Sequence, residues 1–214
     1  MSLTSNMLFD LREKFKEVRD QGPRPLCLVF ASSDLNSFSN QIIEDLSVEY
    51  LAHHAYKIEK NMDYSTGLMV PSVIKAIAQH GQPHEKEMPY DPSTVVPLSP
   101  IDNLDPLFFS AFSETCNIVS SINQELENGN PTVVIMSLPN SIFTLAEPFE
   151  LDIENGNVGN HAVVIVGKAL KPDGKVFYMI RNSWGVAWAD NGYCWVSEDF
   201  LKSRAFALIT MRSK

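Results

Sequence analysis

The sequence is poor in cysteine and in positive charge. Three cysteines, Cys27, Cys116 and Cys194, make an odd count among 214 residues, and no two of them form a CxxC pair. This spacing predicts neither a disulfide framework nor a metal site, and we expect no cofactor. Lysine and arginine number 17 against 26 acidic residues, which gives a net charge of −9. Because an acidic surface repels phosphate, we expect no nucleic-acid partner.

Long hydrophobic runs are also missing. The longest, such as residues 133–136 and 162–167, are too short to cross a bilayer, so we expect no membrane partner. The N-terminal residues lack the hydrophobic stretch of a secretory signal. Together with the absent disulfide framework, this predicts a cytoplasmic protein. A secreted effector, or a chain whose upstream segment has been removed, stays open.

The hydrophobic pattern changes near the middle of the chain. Between Cys27 and Gly81 apolar residues recur at helical spacing, whereas five prolines within residues 89–106 exclude a regular helix there. One more helix is expected at about residues 114–127, and it would bury Cys116. Beyond Asn130, β-branched runs predict strands, and the turn sequence KPDGK predicts a hairpin. The sequence therefore predicts an α+β fold, with a helical half and an antiparallel half separated by a cleft.

Cys27 is the only cysteine flanked by loop residues, in the stretch QGPRPLCLVFA. Pro23 and Pro25 precede it and helical periodicity follows it, so the pattern predicts that Cys27 lies at a helix N-terminus. The open N–H groups of such an end favour a thiolate, which is the nucleophilic form of cysteine. Cys27 is therefore a candidate nucleophile, whereas Cys194, inside a strand pattern, is expected to be buried and inert.

His161 is the histidine best placed to act as the base. It begins the apolar strand pattern NHAVVIVG, so its imidazole can project from a strand end into a cleft. Asn182, in RNSWG, follows on the next predicted strand and can be a cross-strand neighbour of His161. Its amide oxygen can hold one ring N–H of the imidazole, and the indole of Trp184 can shield that bond from water.

The order of these motifs resembles the papain-like cysteine peptidases of the papain and cathepsin family. The chain contains QG followed by CxxF, then LS, a glycine before a helix, PY, NHAVVIVG, and RNSWG followed by NGY. Because the disulfide cysteines of that family are missing, the chain resembles a bacterial-type, disulfide-free member. The resemblance implies one catalytic domain, residues 1–214, with a helical lobe (about 20–105) and a β-barrel lobe (about 106–214), between which the terminal segments can cross over.

The resemblance also implies the roles of the site residues. Cys27 would be the nucleophile, His161 the base and Asn182 the residue that orients it. Gln21 and the backbone N–H of Cys27 would form the oxyanion hole. The implied activity is thiol-dependent hydrolysis of a peptide bond in a peptide or protein substrate, by an endopeptidase or an exopeptidase. A regulatory segment or an inhibitor protein is a further partner that the resemblance implies.

Substrate contacts are expected in the stretch YSTGLMV and beside the catalytic residues. From the order of the motifs, Met69, Val70 and Ile135 are expected to line an apolar pocket for the residue two before the scissile bond. The full set of candidate substrate-binding residues is Gly67, Leu68, Met69, Val70, Ile135, Asn160 and Trp184.

Several positions depart from the family pattern. Pro25 replaces a glycine, Leu28 replaces a tryptophan, and Leu68 replaces the second glycine of a pair. Arg24 stands where secreted members have a disulfide cysteine. These departures leave two alternatives open. One is amide transfer of the transglutaminase or transpeptidase kind, and the other is a catalytically retired scaffold used as a binding module.

Overall fold

The computed structural model describes residues 6–60 and 63–212. The helices, in chain order, are α1 (Cys27–Ser39), α2 (Val48–Glu59), α3 (Val70–His80), α4 (Ile118–Glu127) and α5 (Glu198–Arg204). The strands are β1 (Met7–Asp10), β2 (Phe112–Thr115), β3 (Thr132–Ser137), β4 (Glu150–Leu151), β5 (Asn160–Leu170), β6 (Val176–Arg181), β7 (Tyr193–Ser197) and β8 (Ala205–Met211). No helix in these two ranges is long and apolar enough to cross a membrane.

Local sequence determines several helix ends. The hydroxyl of Ser47 caps α2 by accepting the N–H of Tyr50 at 3.1 Å. Pro71 lies in the first turn of α3, where its missing N–H costs nothing. Gly81 ends α3 with a φ of 66°, a backbone conformation that residues other than glycine rarely adopt. The three helices α1, α2 and α3 therefore form the helical N-terminal half that the pattern predicts.

The strands form one sheet in the order β2-β8-β3-β5-β6-β7-β4, and β1 also pairs with β5. The predicted hairpin is confirmed, since β5 and β6 pair antiparallel around KPDGK. Two details differ from the expectation. The contact of β4 with β7 is parallel, and within the described residues the order has free ends at β2 and β4, so the sheet is open. These end strands are four and two residues long and are not paired with each other, so the sheet does not close into the expected barrel.

Strand β5 is buried on both faces, which explains why it reads as a continuous apolar run. Alternate residues face opposite sides. Ala162 and Val164 pack into the hydrophobic core shared with α1, α2 and α3. Val163 and Ile165 pack into a second core with α4 and α5. The fold is thus α+β with two cores, and α1 lies directly against β5.

The helix expected at about residues 114–127 begins later, at Ile118. Residues Phe112–Thr115 instead pair with β8 as strand β2. The hydroxyl of Thr115 accepts the N–H of Asn117 at 3.1 Å and turns the chain between the two elements. Cys116 lies in this turn and is exposed, so its predicted burial is wrong. Cys194, on β7, is buried as predicted.

Candidate active site

Cys27 is the first residue of α1, as the loop-to-helix pattern predicts. The residue before it, Leu26, offers no side-chain cap, so the first N–H groups of the helix stay open. Cys27 packs against the hydrophobic core cluster that contains Ala162 of strand β5. Ala162 directly follows His161, so the thiol at the helix end lies against the start of strand β5.

The thiol and the imidazole both lie in surroundings that disfavour charge. Burial raises the pKa of Cys27 above its ordinary value of 9.0, and the backbone N–H groups of Ala162, Leu28 and Cys27 favour the thiolate and oppose that rise. Burial also lowers the pKa of His161 to about 4, against the hydrogen bond that His161 donates to Asn182, which raises it. The helix end therefore does not give a free thiolate by itself, and these shifts favour a neutral thiol beside a neutral imidazole.

The hydrogen bond between His161 and Asn182 defines the tautomer of the imidazole. Nε2 of His161 lies 2.7 Å from Oδ1 of Asn182, and the backbone N–H of Ser183 donates to the same Oδ1 at 2.8 Å. Because a backbone N–H can only donate, that atom is the amide oxygen, and Nε2 of His161 must carry a proton. In the neutral ring Nδ1 is then the free acceptor. The two residues thus leave one nitrogen of His161 able to accept a proton.

Trp184 lies against His161. Its ring centroid lies 4.8 Å from that of His161, and both His161 and Asn182 are buried. Phe143 stacks on Trp184, with 5.4 Å between the ring centroids and 16° between the ring planes, although 60% of its own surface is exposed. Sequence reasoning missed Phe143, because a single aromatic residue in a loop gives no periodic signal.

Gln21 is buried, and its side-chain amide is fully oriented. Its Nε2 donates to the carbonyl of Arg24 at 2.8 Å, and its Oε1 accepts the hydroxyl of Ser183 at 2.6 Å. The backbone carbonyl of Gln21 accepts the hydroxyl of Tyr90, also at 2.6 Å. Since a carbonyl accepts only, one N–H of the amide is used by Arg24 and the second is left over. Ser183, Tyr90 and the role of Arg24 here were not expected from the sequence.

The candidate substrate-binding residues lie in different surroundings. Leu68, Val70 and Ile135 are buried in the core cluster against which Cys27 packs, whereas the side chain of Met69 is 63% exposed.

Gly67 is exposed and lies beside the loop that precedes the nucleophile. A Cβ at Gly67 would lie 3.7 Å from the carbonyl of Pro25. Asn160 is exposed at the start of β5, next to His161. Within residues 6–60 and 63–212, no group of three or more His, Cys, Asp or Glu residues could hold a metal ion.

Comparison with known proteins bears on this arrangement. Residues 6–205 match the model of the papain family cysteine protease. The chain is 26% identical over 202 residues to cathepsin B-like CP3 of Giardia intestinalis, and the match covers 86% of this chain and 67% of that relative. It is 40% identical to ananain of Ananas comosus over 52 residues, 24% of this chain and only 15% of that protein.

The fold agrees with these matches. The structure superimposes on Xylellain, a cysteine protease from Xylella fastidiosa, with a TM-score of 0.79 over 99% of this chain and 88% of that one, at 21% sequence identity. At that identity the likeness concerns the two-lobed fold. The family model, in contrast, matches residues 6–205, nearly the whole sequence. The chain therefore belongs to the papain family of cysteine proteases.

Proposed function

We propose that this chain hydrolyses peptide bonds with a catalytic triad of Cys27, His161 and Asn182. The observation that carries the proposal is the hydrogen bond of 2.7 Å between Nε2 of His161 and Oδ1 of Asn182. It leaves Nδ1 of a neutral imidazole as a proton acceptor near the start of β5, the strand against which α1 packs. This supports Cys27 as the nucleophile, His161 as the base and Asn182 as the orienting amide of covalent catalysis.

The first half of the reaction forms an acyl-enzyme. The proton of the Cys27 thiol moves to Nδ1 of His161, and Sγ attacks the substrate carbonyl. The carbonyl electron pair moves to oxygen, where the leftover N–H of Gln21 and the N–H of Cys27 stabilise the negative charge. The carbon–nitrogen bond then breaks, and His161 gives its proton to the leaving amine. A thioester on Cys27 results.

The second half returns the enzyme to its starting state. Nδ1 of His161 accepts a proton from water, and the resulting hydroxide attacks the thioester carbon. The carbon–sulfur bond breaks, and the thiol of Cys27 regains the proton. Asn182 keeps Nε2 protonated throughout, and the ring of Trp184, 4.8 Å from His161, limits the access of water to that bond.

The substrate is proposed to be a peptide or protein chain in extended form. Gly67 exposes backbone beside the loop of the nucleophile, so it is suited to pair with the main chain of a substrate. Val70 and Ile135, each 8% exposed in the core cluster of Cys27, are suited to form the base of an apolar pocket, with Leu68 beside them. Met69, whose side chain is exposed, would form the rim of that pocket.

Selective labelling of Cys27 tests the proposal. An epoxysuccinyl probe at about pH 6 is expected to label Cys27 of the wild-type protein and to fail in His161→Ala, with the label located by mass spectrometry. Exposed Cys116 is the internal control, because it reacts by exposure alone. Faster labelling of Cys116 than of Cys27 would favour a retired scaffold.

Peptide-library profiling against Cys27→Ala then separates hydrolysis from amide transfer. Hydrolysis releases a free carboxylate in water and needs no added amine. A product that appears only with an added amine would support the transferase alternative. A library without preference for apolar residues two before the cleaved bond would contradict the pocket formed by Val70 and Ile135.

A further inference from the structure

A buried ion pair lies directly behind Gln21. Arg24 is 5% exposed and Glu49, in the first turn of α2, is 0% exposed. The two side chains bond at two points, Nη1 to Oε1 and, at 3.3 Å, Nη2 to Oε2. Removing both charges from water is costly, so such a pair persists only when its remaining hydrogen-bonding groups are satisfied.

Both partners have further hydrogen bonds that hold them in place. Arg24 Nη1 also donates to the carbonyl of Asp91 at 2.9 Å, and its guanidinium lies over the ring of Tyr90, 4.9 Å from the centroid. Glu49 accepts the backbone N–H of Asp91 at 3.4 Å and that of Leu98 at 3.2 Å. The pair therefore ties the loop before the nucleophile to α2 and to the proline-rich segment.

The backbone of Arg24 is the part that contacts Gln21. Its carbonyl accepts Nε2 of Gln21 at 2.8 Å and the N–H of Leu26 at the same distance. Pro23 and Pro25 flank Arg24, and neither has an N–H with which to anchor this loop. The side chain of Arg24 therefore anchors the residue whose carbonyl contacts Gln21. Tyr90 contributes a second attachment, through its hydroxyl on the carbonyl of Gln21 at 2.6 Å.

We propose that Arg24 is a positioning residue for the oxyanion hole. The Arg24–Glu49 pair holds the carbonyl of Arg24, and that carbonyl holds the amide of Gln21 so that its second N–H can donate to the oxyanion. This inference rests on the proposed function, in which Gln21 is an oxyanion donor. A buried ion pair that served stability alone could be replaced by neutral groups with little loss, whereas replacement here moves the amide of Gln21.

Two reactions of Cys27 distinguish positioning from general destabilisation. Alkylation by iodoacetamide needs the thiolate and forms no oxyanion. Addition to a dipeptide aldehyde needs the same thiolate and forms a tetrahedral adduct whose oxygen occupies the oxyanion hole. A displaced Gln21 weakens the second reaction and leaves the first unchanged, whereas a disturbed Cys27 or His161 slows both.

The test variant is Arg24→Met combined with Glu49→Gln, which leaves no unpaired buried charge and keeps an amide oxygen at position 49. We expect kcat for a peptide substrate to fall about 10- to 100-fold with KM unchanged. Affinity for the dipeptide aldehyde should fall by a similar factor, and the rate of alkylation by iodoacetamide should stay within about twofold. Arg24→Lys, which keeps the charge but not the paired geometry, should recover part of kcat.

A cycle with Gln21→Ala isolates the connection between the two residues. If Arg24 acts through Gln21, the combined Gln21→Ala, Arg24→Met and Glu49→Gln protein loses no more kcat than Gln21→Ala alone. The matched control is Lys171→Met with Glu150→Gln. Glu150 lies on β4 and Lys171 directly follows β5, and their ion pair does not involve Gln21 or Arg24. This control should leave the ratio of the two reaction rates unchanged.

The outcomes separate this inference from the proposed function. Any of three results would overturn positioning by Arg24. Alkylation and aldehyde binding of the test variant could fall by the same factor, or its kcat could be unchanged. The third is that the kcat losses of Gln21→Ala and of the test variant multiply in the combined protein. If wild-type Cys27 reacts no faster than Cys27 of His161→Ala, the proposed function fails first, and the inference fails with it.

Discussion

Asp34 of α1 and Arg181 of β6 form a buried ion pair across the interface between the helices and the sheet, with 2.8 Å between Oδ2 and Nε. Arg19 binds the other carboxylate oxygen at 2.9 Å. The pair links α1, which begins at Cys27, to β6, which is followed directly by Asn182.

Asp34→Asn is expected to destabilise the fold strongly, because it leaves two arginines near a neutral group. The expected loss in the free energy of unfolding is about 3–5 kcal/mol, measured by denaturant titration at neutral pH. Glu13→Gln is the control, since Glu13 pairs with Lys14 at the surface with 78% of its side chain exposed, and it should change stability by less than about 1 kcal/mol. A loss for Asp34→Asn no larger than that of the control would contradict the importance of the pair.

The same substitution should change the acid dependence of stability. Burial tends to raise the pKa of Asp34, but the charges of Arg181 and Arg19 outweigh it and hold the pKa below its ordinary value of 3.8. The stabilisation is therefore complete above about that value and is lost as pH falls through the lower pKa of the folded state. The difference in unfolding free energy between wild type and Asp34→Asn should shrink below pH 3.8. A difference that stays constant down to pH 2.5 would argue against this assignment.

The activity of the wild-type protein is expected to extend far into the acid range. His161 must be neutral to accept the thiol proton, and burial lowers its pKa to about 4, so kcat/KM should fall as pH drops through that value. On the alkaline side kcat/KM should fall when Cys27 and His161 together lose their last proton, and burial raises the pKa of Cys27 above 9.0. The two groups interact, so the profile reports apparent values of the pair. An acid limb near 6.5 would mean that the imidazole is solvated.

Two substitutions of Asn182 should separate orientation from charge. Asn182→Ala removes the hydrogen bond that raises the pKa of His161, so kcat should fall roughly 100-fold without an upward shift of the acid limb. Asn182→Asp keeps an acceptor and adds a negative charge, which favours imidazolium, so the acid limb should move to higher pH. Asn130→Ala, at a remote amide that donates to Glu125, is the control. An unchanged kcat in Asn182→Ala would exclude an orienting role.

The residues of the candidate triad could be found from sequence because each sits at a local boundary. Cys27 follows a proline-rich loop and begins a helix, and His161 stands near the start of an apolar strand. The hairpin between β5 and β6 has its own turn sequence, so the pairing that brings Asn182 near His161 was also predictable. These signals depend on a few neighbouring residues, which is why they are readable without a structure.

The supporting contacts could not be found in this way, because they join residues far apart in the chain. Arg24 and Glu49 are 25 residues apart, and Gln21 and Ser183 are 162 apart. Neither pair has a spacing that a helix or a hairpin would produce. The open ends of the sheet are equally nonlocal, since closure depends on whether β2 and β4 meet. Sequence patterns therefore predicted the fold class and the candidate triad, but not the contacts that hold Gln21.

Phe143 is expected to contribute to binding on the leaving-group side of the scissile bond. Its exposed ring stacks on Trp184 at 5.4 Å, and Trp184 lies against His161, the proposed donor of a proton to the leaving amine. Substrate residues beyond the scissile bond must pass near that imidazole, so an apolar side chain there can cover Phe143. Phe143→Ala should raise KM several-fold for substrates with an apolar residue just after the cleaved bond, and it should leave kcat within about twofold.

Matched substrates and a second variant make this prediction specific. A substrate whose leaving group is a small chromogenic amine cannot reach Phe143, so its KM should not change in Phe143→Ala. Phe143→Leu keeps an apolar surface but not the stacked ring, so it should retain most of the affinity if area matters and lose it if stacking matters. Equal changes in KM for both substrates would mean that the substitution disturbs Trp184 and His161 rather than a contact with the leaving group.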